Sequence, residues 1–254
     1  MSGEKNPMER AQALSRPQLP KRFYKEVRVE EDDNGFCIKL DARVLKTPGR
    51  QTLKLPSESL ARLIADEWDA QAVEVNPASM PVTRLANTAI DGVELVKTEV
   101  AEGIAAYACS DLVCYRAESP EGLVAQQRET WDPLIAWFAE VHGMPLRLAE
   151  GVMPVGQDDT KADAIGVQLR ELSALELAAL HTLTTLSGSA VIALAVHGGQ
   201  IDPDAAWKAA HVDEDWQISQ WGEDAEATAR RAARKREFDA ATKVLSALSA
   251  SVSA

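Results

Sequence analysis

Residues Leu45–Asp91, LKTPGRQTLKLPSESLARLIADEWDAQAVEVNPASMPVTRLANTAID, hold the change from one kind of structure to another. Val44–Thr47 and Gln51–Leu55 flank the turn pair Pro48-Gly49, which predicts a β-hairpin. Pro56-Ser57 then predicts a helix start with Ser57 as N-cap. Leu60, Leu63, Ile64 and Trp68 fall on one stripe of that helix, and Arg62, Asp66 and Asp69 fall opposite. Pro77 and Met80-Pro81 break the next segment, and Met80, preceding a proline, is expected outside the α region.

Upstream of this stretch the period is two. Phe23, Val27 and Val29 alternate with Tyr24, Glu26, Arg28 and Glu30, then EDDNG supplies a turn and Phe36, Ile38 and Leu40 alternate with Cys37 and Lys39. Residues 1–20 carry Pro7, Pro17, Pro20 and mixed charge and read as a tail. Downstream the pattern is helical almost to the end. Val93, Val96, Val100, Ile104 and Tyr107 make a 3.6-period face, and Leu112–Tyr115 is a short apolar strand or buried turn. Ser119-Pro120 and Asp132-Pro133 each read as an N-cap followed by proline at the first helical position, which predicts two helices, the second ending at Gly143. Met144–Gly156 is a connector, and two or three helices lie between it and Gly198-Gly199. From the Asp202-Pro203 cap, Trp207, His211, Glu214, Ile218 and Trp221 keep 4, 3, 4, 3 spacing on a single face of one helix. The last helix, about 223–249, carries Arg230, Arg231, Arg234, Lys235 and Arg236. The expected fold class is α+β: a tail over 1–20, a small β-rich antiparallel N-terminal domain with one capped helix over 21–85, and a larger all-helical domain over 86–254.

Composition narrows function by exclusion. The 254 residues hold 27 basic and 39 acidic side chains, a net charge of −12, which opposes nucleic-acid binding as a main role. Three cysteines, Cys37, Cys109 and Cys114, are too few and odd in number for a disulfide framework, and imply a reducing compartment. No apolar run approaches the roughly 20 residues of a membrane span. Residues 1–20 lack the apolar core of a secretory signal and contain Glu4 and Glu9, unlike a transit peptide. The sequence contains no Walker loop, GxGxxG, GxSxG or HExxH motif, and His142, His181, His197 and His211 form no i, i+4 pair for a metal. No catalytic residue, cofactor or metal is therefore expected.

Two residues stand out. Trp68, in Asp66-Glu67-Trp68-Asp69, is either an aromatic anchor for a protein partner or a core tryptophan holding its helix on the sheet. Glu214 lies in a stripe otherwise made of tryptophan, isoleucine and histidine. It is either a half-exposed acid paired with the basic cluster of the last helix, or a partly desolvated carboxylate that meets a partner's arginine or backbone amides.

A series of short stretches resembles a known family. They are Arg22-Phe23-Tyr24, Leu45-Lys46-Thr47-Pro48, Leu55-Pro56-Ser57-Glu58, Glu67-Trp68-Asp69-Ala70-Gln71, Met80 to Leu85 and Ala86 to Asp91. Cys114-Tyr115-Arg116, Gln127-Arg128, Trp131-Asp132-Pro133 and Gln217-Ile218-Ser219-Gln220-Trp221-Gly222 continue the series, which spans about Arg22 to Gly222. Together they resemble the assembly chaperones of F-type ATP synthase that bind the free alpha subunit of its catalytic head, in mitochondria and alphaproteobacteria. Trp216 stands where a tyrosine is commoner in that family.

The resemblance implies a β-rich then α-helical fold, no catalysis, no metal and no nucleotide, and a chaperone that binds the ATP synthase alpha subunit until the beta subunit replaces it; a monomer is the expected state, with dimerisation left open. It implies a bacterial cytoplasmic location, the mitochondrial matrix being that of eukaryotic relatives. It places partner binding at Trp68 with Glu67, and at Glu214 with Asp213, Asp215, Gln217 and Trp221; Asp213 and Asp215 are the other registers of the essential acid. The expectation drawn from it is that Trp68 and Glu214 border one groove between the domains. The rival classes are a general holdase, which calls for an adaptable apolar surface, and a small-molecule enzyme with a site in an interdomain cleft.

Overall fold

In the computed structural model, which describes residues 19–151, 155–157 and 159–250, the EDDNG turn joins β1 (Val27–Asp32) to β2 (Gly35–Leu40) in an antiparallel hairpin. Val27 lies opposite Leu40 and Asp32 opposite Gly35. The turn closes on itself, because Asn34 N donates to Asp32 Oδ1 at 2.9 Å. Gly35 has φ +111°, and a Cβ there would stand 2.6 Å from the Leu55 carbonyl oxygen, so only glycine fits. β2 is the middle of the sheet. Its other edge takes both β3 (Arg43–Val44) and β4 (Lys54–Leu55), each antiparallel. The Pro48-Gly49 hairpin forms between these two, with Thr47 N donating to Gln51 O at 2.9 Å.

Helix α1 (Glu58–Asp69) starts where the sequence places it: Ser57 Oγ accepts from Leu60 N at 3.3 Å. Leu60 and Ile64 are fully buried with Ile38, Leu53 and Leu55 in the core that α1 shares with the sheet. Met80 has φ −127° and ψ 58°, outside the α region as its proline neighbour requires, and α2 (Pro81–Asp91) comes next. Asp91, at the end of α2, returns to the hairpin: it accepts from Thr47 Oγ1 at 2.6 Å and from Gly49 N at 2.7 Å. α2 runs through positions 85 and 86, so the β-rich and helical regions share an element. The expected tail lies outside the described residues except for 19 and 20, where Pro20 O accepts from Val75 N.

The helical region contains α3 (Lys97–Tyr107), α4 (Glu121–His142), α5 (Asp159–Leu169), α6 (Ala174–Ser187) and α7 (Ala190–His197). It ends with α8 (Pro203–Ala210), α9 (Val212–Trp221) and α10 (Ala225–Ser249). α6 is at its centre and touches α2, α3, α7 and α10. Leu112–Cys114 is a 3₁₀ turn that leads into β5 (Tyr115–Arg116), which pairs in parallel with β6 (Ala149–Glu150) inside the connector. Helix α10 also reaches back to the N-terminal region: Ser57 Oγ and Ser59 Oγ each donate to Ala247 O at 3.0 Å.

Three sequence expectations are corrected. Pro120, not Ser119, occupies the cap position before α4 and provides no side-chain cap bond. Asp132-Pro133 starts no new helix; α4 passes through Pro133 without ending. The helix survives the lost amide because its neighbours hold it: Trp131 is fully buried with Nε1 bonded to Ala209 O at 2.7 Å, and Asp132 pairs with Arg116 instead of capping. The Trp207-to-Trp221 stripe is not one helix. His211 leaves the α region (φ −124°, ψ 23°) and its Nδ1 bonds Trp207 O at 2.8 Å, which separates α8 from α9.

Asp111 is a buried carboxyl group that ties the 3₁₀ turn to α7. It has no exposed surface and accepts from Val113 N at 3.2 Å and Val191 N at 3.0 Å. Burial pushes its pKa up to about 6, against hydrogen bonds that pull it down. The folded state therefore holds a proton that the unfolded chain releases between pH ~4 and ~6, and stability falls as pH rises through that window. In urea titrations at several pH values, Asp111→Asn should lose this slope. Wild type should weaken relative to the variant by on the order of 2–3 kcal/mol between pH 4 and pH 7; parallel curves would refute the assignment.

Candidate partner-binding face

Trp68 sits at the end of α1, half-buried, with its ring 5.6 Å from that of Tyr24. Tyr24 Oη donates to Trp68 O at 2.6 Å. The Arg22 guanidinium lies over the Tyr24 ring at 4.6 Å and donates to Asp69 O at 2.8 Å, to Tyr24 O at 3.2 Å and to Gln71 O. Arg22-Phe23-Tyr24 is therefore the clamp that fixes the incoming chain to the end of α1. Trp68 packs in this corner, and its Nε1 is buried with no partner among the described residues. Phe23 and Val73 are exposed here, with Arg22 N bonded to Val73 O.

Glu67 points the other way and caps α2. Its carboxylate accepts from Val82 N at 2.8 Å, Thr83 N at 2.7 Å and Thr83 Oγ1 at 2.7 Å, where the helix has unpaired amides. Burial raises its pKa and these bonds oppose the rise. Glu67→Ala should cost about 1–3 kcal/mol, read as a lower urea midpoint at unchanged slope. An unchanged midpoint would mean the cap is not formed in solution. Beside Glu67, a groove of about 550 Å³ runs between Asn76, Ser79, Pro81 and the Arg236 and Lys243 side chains of α10.

The second set of residues lies on α9. Its acids have different fates. Asp213 Oδ1 accepts from Gln127 Nε2 at 2.7 Å, and Asp215 Oδ1 pairs with Arg231 Nη2 at 2.5 Å. Glu214 meets the ring of His211 at 3.8 Å and no cationic side chain among the described residues. Burial lowers the pKa of His211, which is stacked on Trp207 with ring centres 3.9 Å apart, so this ring is neutral at pH 7 and does not neutralise Glu214. It is Asp215, not Glu214, that pairs with the basic cluster of α10. Glu214, Gln217, Ile218 and Trp221 line a cavity of about 440 Å³ closed on its far side by Ala227, Thr228 and Arg231. Trp221 is 87% exposed. Trp68 lines neither cavity. Glu67 belongs to the groove along residues 236–243 of α10 and Glu214 to the cavity near 227–231, so α10 is the element common to both.

Among the described residues, no group of three or more His, Cys, Asp and Glu side chains is placed to hold a metal ion, and no helix is long and apolar enough to cross a membrane. Cys37 and Cys114 are buried thiols, and burial pushes the Cys114 pKa up to about 12. Arg116, Gln127 and Arg128 belong to the stretches that carry the family resemblance but take no site role from the sequence. The structure gathers them around one cavity, and their joint presence in the resemblance series is the sequence signal that points there.

A family profile described as ATP12 chaperone protein matches residues 21–139. The chain is 47% identical to the Atu1473 protein of Agrobacterium tumefaciens, whose crystal structure superposes with a TM-score of 0.86 over 96% of this chain and 92% of that one. It is 40% identical to Atp12 from Paracoccus denitrificans, with a TM-score of 0.83 over 89% of this chain and 97% of that structure. The mitochondrial protein atp12 of Schizosaccharomyces pombe is 28% identical over 214 residues, which cover 80% of this chain and 74% of the relative. The small antiparallel sheet followed by a larger helical region is the architecture shared with these structures.

Proposed function

Since the chain belongs to the ATP12 chaperone protein family, we propose that it is a non-catalytic chaperone for assembly of the F-type ATP synthase head. In this reading it acts as a monomer in the cytoplasm, binding the free alpha subunit until the beta subunit replaces it. An alpha subunit alone exposes apolar surface that it later buries against its neighbours, and such surface aggregates. A cover that must later leave calls for a moderate, partly polar interface.

The observation that carries the reading is the Glu214 carboxylate, bonded to no cation among the described residues, lining the same cavity as the exposed Trp221 ring, a polar group and an aromatic anchor on one face of α9. Trp68 and Glu67 serve this face by holding α1 and α2 in place under α10. Tagged protein mixed with a lysate containing dissociated synthase subunits should enrich the alpha subunit over beta. Enrichment of beta instead, or of no synthase subunit, would overturn the reading.

A further inference from the structure

A cavity of about 390 Å³ lies between β5, β6 and α4, with Arg116, Gln127, Arg128, Asp132, Leu148 and Glu150 in its wall. Its floor is rigid. The Arg116 side chain is only 7% exposed: Nε donates to Val113 O at 2.9 Å, Nη2 to Asp132 Oδ1 at 2.8 Å, and the guanidinium lies over the Trp131 ring at 5.2 Å. Its Nη1 makes no hydrogen bond among the described residues. Arg128, at the rim, is exposed and has no hydrogen-bond or ion-pair partner among them. Arg128 thus makes no ion pair among the described residues although the Asp132 and Glu150 carboxylates share this wall, and it stands next to an arginine with an unused donor pair. The planar fork of a guanidinium matches a carboxylate, and a half-buried wall weakens competition from water.

We propose that this cavity is a binding site for a carboxylate side chain of a polypeptide partner, a glutamate or aspartate held by Arg128 and Arg116 with its methylenes against Leu148. Gln127 joins the site to α9. It accepts from Ala117 N at 2.8 Å and donates to Asp213 Oδ1 at 2.7 Å, so the carboxylate site and the Glu214 face lie on either side of one buried amide. A partner that spans both presents an acid to the arginines and a base to Glu214. This last step, unlike the site itself, rests on the chaperone reading. The pairing of opposite charges sets the orientation in which the partner docks.

The site is tested first with a small probe. N-acetyl-glutamate N-methylamide is titrated into the ¹⁵N-labelled protein while the Gln127 side-chain amide and the arginine Nε–H signals are followed. Saturable shifts in the millimolar range are expected. They should weaken at least five-fold in Arg128→Ala, persist in Lys243→Ala at the distant groove, and be absent with the glutamine analogue of the probe. Equal shifts with the neutral analogue, or shifts unaffected by Arg128→Ala, overturn the site. Arg128→Glu is then compared with wild type in alpha-subunit capture, where at least a ten-fold loss is expected. Wild-type capture with an unaffected Arg128→Glu variant overturns the docking orientation while the chaperone reading stands. Failure of wild type to capture any synthase subunit overturns that reading, and the probe titration decides the site by itself.

Discussion

Replacing Trp131 by alanine is expected to remove about 3–5 kcal/mol of folding stability and to lower the melting temperature by roughly 6–20 °C. The ring has no exposed surface, so its removal leaves a cavity that rigid helices on both sides cannot fill. Three further attachments go with it. The Ala209 carbonyl loses its donor from Nε1, Arg116 loses the ring beneath its guanidinium, and α4 loses the anchor two residues before Pro133. Trp131→Phe separates these effects: it keeps most of the packing and leaves Ala209 O unpaired, for about 1–3 kcal/mol. Urea denaturation of both variants measures the difference, and the phenylalanine form remains available if the alanine form does not fold. Midpoints equal to wild type would mean that the joint between α4 and α8 adds nothing to stability.

Glu214→Lys is the counterpart, with a large effect on binding and little on the fold. Its carboxylate is half-exposed and its one ion-pair contact is to a neutral ring, Arg231 across the cavity being held by Asp215, so the reversal should change stability by no more than about 0.5 kcal/mol. Capture of the alpha subunit should fall at least ten-fold, because a lysine beside Trp221 repels whatever cation the carboxylate receives. Asp213→Asn and Asp215→Asn are informative controls. Each loosens an internal contact, to Gln127 or to Arg231, and should cost about 0.5–1.5 kcal/mol while binding is retained. If Asp215→Asn abolishes capture with its fold intact and Glu214→Lys does not, the essential acid is Asp215. Loss of helical circular dichroism in Glu214→Lys would make that residue structural.

What the sequence disclosed was local. The Ser57 and Asp202 caps and the EDDNG turn involve partners within four residues and the stop at Gly143 needs only its own left-handed φ of 65°, and each appears where the residue types put it. The period and proline rules failed in two ways, one through a distant contact and one through a side chain competing for its own helix's carbonyl. Pro133 should end a helix, but α4 continues through it, with Trp131 bonded to a carbonyl 78 positions away. His211 satisfies helical spacing, yet its ring takes the Trp207 carbonyl and breaks the stripe. The site was legible in the same measure. Trp221 and Glu214 could be named from one face of a helix. That Glu67 caps the helix after the next turn, or that Asp213 and Asp215 are bonded away while Glu214 is not, depends on side-chain directions that spacing does not encode.

The bonds from Ser57 and Ser59 to Ala247 have a consequence for the order of synthesis. At about 5–20 residues per second, the 190 positions between Ser57 and Ala247 take on the order of ten to forty seconds to translate. During that interval the sheet and α1 have emerged, but the helix that covers α1 has not been made. A protein proposed to guard another chain's unfinished interface must, while on the ribosome, wait with an unfinished one of its own.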